Sequence, residues 1–302
     1  MKILAFGEIL WDIFGDKAYI GGAPFNLASH CAKMGLDSYL ISAIGHDFLG
    51  KSALYCLEAN KINTDFILQT TQPTGAVAVE LNDSGVPSYN IYENVAWDNI
   101  VIDDAQLSAI RKAQWDVFCF GTLAQRSANN QKMLANILDV INAKHIFFDI
   151  NLRQNYYDRN SIEFSLQQSD MVKLNDEEAL FLDGYLFNQS GTLEEFALRL
   201  CVAYAIKVLC ITKGADGAYI YTPSEELSIK GIRVTVADTV GAGDSFCAGF
   251  LSAFLAGRSL REAGELAVQL AGFVASCNGA IPEYSAELKQ MIAATCSELV
   301  KD

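Results

Sequence analysis

Positive charge and histidine are what this chain has least of, and each shortage narrows what it can do. Against 36 aspartates and glutamates stand 22 lysines and arginines, a formal net charge of −14, and no basic cluster offsets it. Nucleic acid and anionic membrane are therefore poor partners. With three histidines, and eight cysteines scattered without a C-x-x-C pair, a structural zinc site is disfavoured and reduced thiols in a cytoplasmic setting are expected. No apolar run reaches the ~20 residues that span a bilayer. The opening MKILAFGEIL lacks a signal-peptide cleavage pattern and reads as a buried strand. The five prolines mark no Pro/Gly linker, and no repeat or low-complexity tract appears. Residues 1–302 are therefore expected to form a single domain. Hydrophobic residues at 51% and charged residues at 19% suit a compact soluble enzyme with a large core.

What is present is alternation. Strand patterns at 2–7, 38–44, 115–120, 145–149, 171–174 and 207–212 interleave with helical patterns at 23–34, 49–59 and 131–141, and helices dominate from Ser245 onward. That order implies an α/β fold with a mostly parallel central sheet between helices. Two segments, about 10–20 and 74–98, break the rhythm. The second alternates about Asn82-Asp83-Ser84-Gly85, a hairpin signal. Together they read as a small antiparallel sheet that cannot bury both faces alone. It should close over a ligand, pack on a second copy as a homodimer, or do both.

The most informative stretch is Asp238-Thr239-Val240-Gly241-Ala242-Gly243-Asp244. Ile232 to Val236 alternate as a strand, and Ser245 to Ala256 read as an apolar helix, so a glycine-rich turn opens a helix. Free N–H groups at a helix N-terminus bind phosphate oxygens, and Gly241 and Gly243 allow close approach and positive φ. Asp244 would repel such a phosphate. Its place makes sense if it takes a proton from a hydroxyl attacking the phosphorus; otherwise it is a first-turn carboxylate favoured by the helix dipole.

Such a site needs an acceptor, a nucleotide and cations. Asp12 follows the first strand, and Gly21-Gly22-Ala23-Pro24-Phe25-Asn26 opens the first helix; Asp12 and Asn26 can bind hydroxyls. Asp149-x-Asn151-x-Arg153 lies past a strand end, where open parallel sheets bind ligands, and Arg153 can neutralise a transferring phosphoryl group. Asn175 and Glu178 could orient hydrated magnesium, or form an acidic first helical turn. Thr212 to Gly217 reads as a hairpin turn.

Two decoys need physical judgement. Gly45-His46-Asp47-Phe48-Leu49-Gly50-Lys51-Ser52 matches the G-x-x-x-x-G-K-S phosphate loop, and Ile146 to Asp149 mimics its magnesium strand. But Phe48 and Leu49 are bulky where backbone must wrap phosphate, and Asp47 brings negative charge. The segment reads as a polar turn with Lys51 solvated. A dinucleotide reading of Gly241-Ala242-Gly243 fails because Phe246 occupies the third glycine position.

The Gly21-Gly22 pair with Asn26, and the stretch from Asp238 to Phe246, resemble the two signatures of the PfkB or ribokinase-like carbohydrate kinases, and the likeness runs over nearly the whole chain. Gly45, Asp47 and Gly50 are similar to a Gly-x-Asp-x-x-Gly turn of that family, unrelated to phosphate loops. The resemblance implies a three-layer α/β/α ribokinase-like fold with a small β-sheet lid, and ATP-dependent phosphorylation of a sugar. It implies Asp244 as general base and the amides of Gly241, Ala242 and Gly243 as the anion hole. Asp12, Gly21, Gly22 and Asn26 correspond to sugar contacts. Asn175 and Glu178 fall near magnesium and the phosphates; Thr212, Gly214 and Gly217 fall near the nucleotide. Potassium, which the family often binds, would be held by the carbonyls of Asp238, Val240, Val274, Cys277 and Gly279. Segments 93–98, Phe120 to Arg126 with Gln125, and Asp149 to Arg153 look like bacterial fructokinases, so D-fructose is the expected substrate, with ribose and 2-keto-3-deoxygluconate as alternatives. A sugar-binding regulator without turnover is the reading from another class.

Overall fold

The computed structural model describes residues 1–81 and 87–299, so the Asn82 to Gly85 turn lies outside the described residues. The strands are β1 (Lys2–Phe6), β2 (Leu10–Phe14), β3 (Lys17–Gly21), β4 (Asp37–Gly45), β5 (Ile67–Thr70), β6 (Gly75–Leu81), β7 (Pro87–Ile91), β8 (Trp115–Gly121), β9 (Ala143–Asp149), β10 (Met171–Asn175), β11 (Val208–Thr212), β12 (Gly217–Thr222) and β13 (Glu225–Lys230). The helices are α1 (Ala23–Lys33), α2 (Phe48–Ala59), α3 (Asp104–Lys112), α4 (Ala128–Leu138), α5 (Arg159–Gln168), α6 (Asp176–Phe187), α7 (Leu193–Tyr204), α8 (Ala242–Leu255), α9 (Leu260–Ala275) and α10 (Ala286–Thr295).

Nine strands form the main sheet in the order β13-β12-β11-β10-β9-β8-β1-β4-β5. From β11 to β5 every pairing is parallel, and only β12 and β13 run antiparallel, at one edge. Strands buried on both faces send alternate side chains to opposite layers. Ile3 and Ala5 of β1 pack with α1, α8 and α9 through Phe25, Phe250 and Leu266. Leu4 and Phe6 face the other way, into Phe118, Phe120 and Phe148 and the helices α4 to α7. The result is three layers, helix on sheet on helix.

The second sheet has the order β3-β2-β6-β7. Its outer pairs are antiparallel hairpins, while the central pair β2 and β6 runs parallel. Its inner face carries Leu10, Val77 and Ile91 against Trp97 and Leu123 of the main body. The small sheet thus buries one face on its own chain.

One expected strand is absent. Residues 232–236 are irregular and mostly exposed. The chain leaves the sheet after β13 and crosses α9 instead: Ile232 lies so close to Gly272 that a Cβ there would meet it at 2.4 Å. Ala237 and Asp238 then donate their N–H groups to the Ala275 carbonyl at 2.9 and 3.3 Å. Alternating β-branched residues fit a strand only where a partner strand is available, and here helix α9 takes the contact.

Candidate active site

Register decides which side chains meet. Parallel pairing sets Phe120 beside Phe148, Gly121 beside Asp149, Asp149 beside Lys173, and Asn175 beside Thr212. The C-terminal ends of β8, β9, β10 and β11 therefore form a row, the edge at which open parallel sheets receive ligands.

Two helix starts converge above that row. At α1, Gly22 has φ +109, and a Cβ there would sit 2.4 Å from the Glu8 carbonyl oxygen, so only glycine lets the helix begin against β1's exit. The Ala23 N–H donates to Glu8 Oε1 at 3.2 Å. At α8, Gly241 takes φ +79 and packs against Ala280, whose Cα would lie 2.7 Å from an added Cβ. Gly243 differs from expectation: it is helical, with no positive φ, and its missing side chain leaves room for the Lys173 ammonium, 3.1 Å from where a Cβ would be.

The convergence is a hydrogen bond. Asn26 Nδ2 donates to Asp244 Oδ2 at 2.7 Å, tying residues 218 positions apart. Asn26 is 3% exposed, and its Oδ1 is buried without a partner. A buried amide oxygen of this kind calls for a donor, and a sugar hydroxyl can supply one. A cavity of about 520 Å³ opens here; its polar lining includes Glu8, Asp12, Asn26, Arg153, Lys173 and Asp244. Gly22, Asn151, Gly241 and Gly243 also line it, and Leu10, Phe14, Val77 and Ile91 of the small sheet form an apolar wall.

The electrostatics are uneven. Burial, and then the Asp149 charge, push Asp244 up to about 6, against the opposing pull of Asn26, Lys173 and Arg153. Burial likewise raises Glu8 to about 7, and burial with the Asp238 charge raises Asp12 to about 6. Lys173 is buried, which by itself would favour the neutral amine. Its ion pair with Asp149 at 3.1 Å, backed by Glu178 and Asp244, instead holds the ammonium above its ordinary range. Glu8 and Lys173 belong to none of the motifs. The one signal for Lys173 is a lysine inside the apolar strand Met-Val-Lys-Leu-Asn.

The expected anion hole is partly open. Ala242 N–H turns back onto the Thr239 carbonyl at 3.2 Å, so among the described residues Gly241 and Gly243 are the amides of this turn left for a ligand. They stand at the N-terminus of a 14-residue helix, whose dipole favours an anion.

Other expected residues lie elsewhere. Gln125 does not join the cavity: its Nε2 donates to the Gly121 carbonyl at 2.8 Å and to Ser165 Oγ at 3.0 Å, so a buried side chain bonds inward. Gly21 sits behind Asp12, whose carboxylate a Cβ would meet at 2.9 Å. Asn175 and Glu178 form a capping box at α6, each side chain accepting the other's backbone N–H at 2.8 Å, while Glu178 Oε1 also accepts from Leu152 N–H at 2.7 Å. These side chains thus cap the acidic first turn of α6. Thr212, Gly214 and Gly217 lie at the end of β11 and the start of β12, as a hairpin should. Gly217 has φ +97, and a Cβ would strike the Ile229 carbonyl at 2.1 Å, so it serves the β12–β13 pairing. Asp238 and Gly279 are adjacent, with Gly279 N–H donating to Asp238 Oδ2 at 3.4 Å and Val240 N–H to Oδ1 at 3.0 Å. The Val274 carbonyl accepts from Cys277 N–H at 3.0 Å.

A three-layer fold with a small sheet over paired helix starts defines the ribokinase-like class of small-molecule kinases. Residues 7–286 match the pfkB family carbohydrate kinases, and the chain belongs to that family. It is 26% identical over 262 residues to the fructokinase of Escherichia coli, covering 83% of each chain. An uncharacterized sugar kinase from Pyrococcus horikoshii, solved in complex with ATP, superimposes with a TM-score of 0.78 at 25% identity, over 92% of this chain and 94% of that one. Fructokinase from Vibrio cholerae, solved with fructose, ADP and calcium, superimposes with a TM-score of 0.78 at 22% identity, over 98% and 99%; it shares the fold.

Proposed function

We propose that this carbohydrate kinase is a fructokinase, transferring the terminal phosphoryl group of ATP to a hydroxyl of D-fructose to give fructose 6-phosphate and ADP. The observation that carries the reading is the Asn26–Asp244 hydrogen bond, which brings a hydroxyl-binding amide and a carboxylate together beside the open amides of α8. In the proposed step Asp244 takes the hydroxyl proton, the oxygen forms its bond to the γ-phosphorus, and the bond to the leaving ADP breaks. Gly241 and Gly243 would hold phosphate oxygens, and Lys173 and Arg153 would balance the charge. Asp12 and Asn26 would orient the sugar, and the small sheet would act as a lid that keeps water out. ATP would extend along the sheet edge toward Thr212, Gly214 and Gly217. Magnesium, when bound, would neutralise the phosphates near Asn175 and Glu178. The adjacency of Asp238 and Gly279 supports a potassium site at that loop, the eight free thiols support a cytoplasmic setting, and the whole chain would act as one kinase unit.

Fructose is favoured by the E. coli fructokinase relative and by the likeness of segments 93–98 and Phe120 to Arg126 to bacterial fructokinases; the Asp149-x-Asn151-x-Arg153 element is shared with 2-keto-3-deoxygluconate kinases and does not separate those two sugars. ADP release measured with fructose, ribose and 2-keto-3-deoxygluconate tests this. The highest kcat/KM is expected with fructose. A preference for either other sugar would replace it, and no release with any sugar would leave a binding protein without turnover.

A further inference from the structure

The Gly45 to Gly50 turn has the sequence of a phosphate loop, yet the amides of both its glycines are already occupied. Gly50 N–H donates to Asp47 Oδ1 at 2.7 Å, and Gly45 N–H donates to Thr74 Oγ1 at 2.9 Å. The same carboxylate reaches out of its own turn. Its Oδ1 accepts from the Thr74 hydroxyl at 2.7 Å, and its Oδ2 accepts from Thr74 N–H at 2.8 Å. Burial works against this charge, but the donors of Thr74, Gly50 and Leu49 outweigh it and hold the carboxyl below its usual range. Both glycines serve this contact. A Cβ at Gly45 would lie 2.6 Å from the Gln72 carbonyl, and one at Gly50 would lie 2.0 Å from the Gly45 carbonyl.

Thr74 matters because it adjoins the root of a strand. Its neighbour Gly75 opens β6, and a Cβ on that glycine would strike Trp97 Nε1 at 2.2 Å, so the strand leaves the main body through a tight gap. β6 pairs with β2 at the centre of the small sheet, with Trp11 beside Ala76. Trp11 is anchored too: its Nε1 donates to the Leu49 carbonyl at 3.1 Å, in the turn that opens α2. The roots of both central strands are therefore fastened to one turn. Immediately beyond those roots, Asp12 and Val77 line the cavity.

We propose that the Gly45 to Gly50 turn is a clamp at the base of the small sheet, and that Asp47 and Thr74 are positioning residues that set Asp12 and the apolar wall over the sugar without touching the nucleotide. The inference rests on the reading that the cavity takes the sugar. Its chemistry is a matching of donors to acceptors: Thr74 offers an N–H and an O–H and Gly50 a second N–H, and the two carboxylate oxygens of Asp47 share all three. Asp47→Asn keeps the shape but turns an NH₂ toward those donors. Thr74→Val keeps the volume and loses the hydroxyl, and Thr74→Ser restores it.

The test combines steady-state kinetics with hydrogen exchange of the ligand-free protein. Asp47→Asn and Thr74→Val should raise KM for the sugar about tenfold or more, with KM for ATP and kcat within about threefold, a split that global destabilisation would not give. Exchange should quicken in peptides covering residues 10–14 and 74–78, stay unchanged in α8, and return to the parent pattern in Thr74→Ser. Should Asp47→Asn fail to fold, Thr74→Val and Thr74→Ser carry the same comparison. The clamp is refuted by an unchanged sugar KM in folded variants, by a loss shared equally between sugar and ATP, or by Thr74→Ser behaving like Thr74→Val. A parent protein that turns over no sugar would instead defeat the kinase reading, and the exchange pattern would still decide the clamp.

Discussion

Two glycine-rich turns in this chain look alike on paper and differ in what fills them. Each precedes a helix and carries an aspartate: Asp47 at the N-cap of α2, and Asp244 in the first turn of α8. At the first, Thr74 and Asp47 take the amides of Gly45 and Gly50, so neither glycine is left to hold an anion. At the second, Gly241 and Gly243 keep theirs, and the aspartate faces across the cavity to Asn26. A helix N-terminus becomes an anion site only when the protein leaves its donors unspent, and the letters of a motif do not record that.

Substitutions sharpen the contrast. The largest effect is expected at the second turn: Asp244→Asn should lower kcat by about two to four decades, roughly 3 to 5 kcal/mol, with little change in thermal stability. Near-normal turnover would make Asp244 no more than a helix-start carboxylate. Next comes the partner across the cavity. Asn26→Ala removes a charge-assisted hydrogen bond and the free acceptor, and kcat/KM for the sugar should fall about 10- to 100-fold; an unchanged value would detach α1 from the site.

The pH profile gives a smaller but sharper reading. Asp244 works as a base only when ionised, and its carboxyl is raised to about 6, so kcat/KM should fall as pH drops through that value. Lys173 opposes the rise, so Lys173→Met should move the acid limb to higher pH, whereas Lys173→Arg should leave it near its original place. A limb unmoved by Lys173→Met would separate that ammonium from Asp244. The smallest effect belongs to the first turn. Lys51 is exposed, and Lys51→Ala should change ATP-dependent activity by less than about twofold, as surface substitutions usually do. Lost activity in a folded variant would restore the phosphate-loop reading.

Much of this was legible from local pattern. Strand and helix periodicity located β1, β4, β8, β9, β10 and β11 of the main sheet and helices α1, α2 and α8 to within a few residues, because a doubly covered sheet imposes continuous apolar runs, but it missed the short parallel edge strand β5. Asn26 and Asp244 near helix starts and Arg153 past the end of β9 lie where the pattern put them, and they line one cavity with Asp12, which sits instead in the middle of β2. Where the reading went astray, tertiary competition was the cause. Residues 232–236 have strand chemistry but no strand to pair with, and Gln125 has a hydrogen-bonding side chain that Ser165 and Gly121 claim first. Lys173 could not be found from spacing, because what makes it important is Asp149, one strand over.

Sequence alone determined the class of chemistry here: a helix opened by Gly-Ala-Gly-Asp, alternating strands to hold it, and a charge balance hostile to nucleic acid. Tertiary structure decided which groups are free to act. Whether an amide, a carboxylate or an ammonium can meet a ligand depends on whether a neighbour, often more than 20 positions distant in the chain, already satisfies it, as Thr74 does at 27 and Lys173 at 24. Hydrogen bonds and charges saturate in space, and a one-dimensional string does not show which donors have been used.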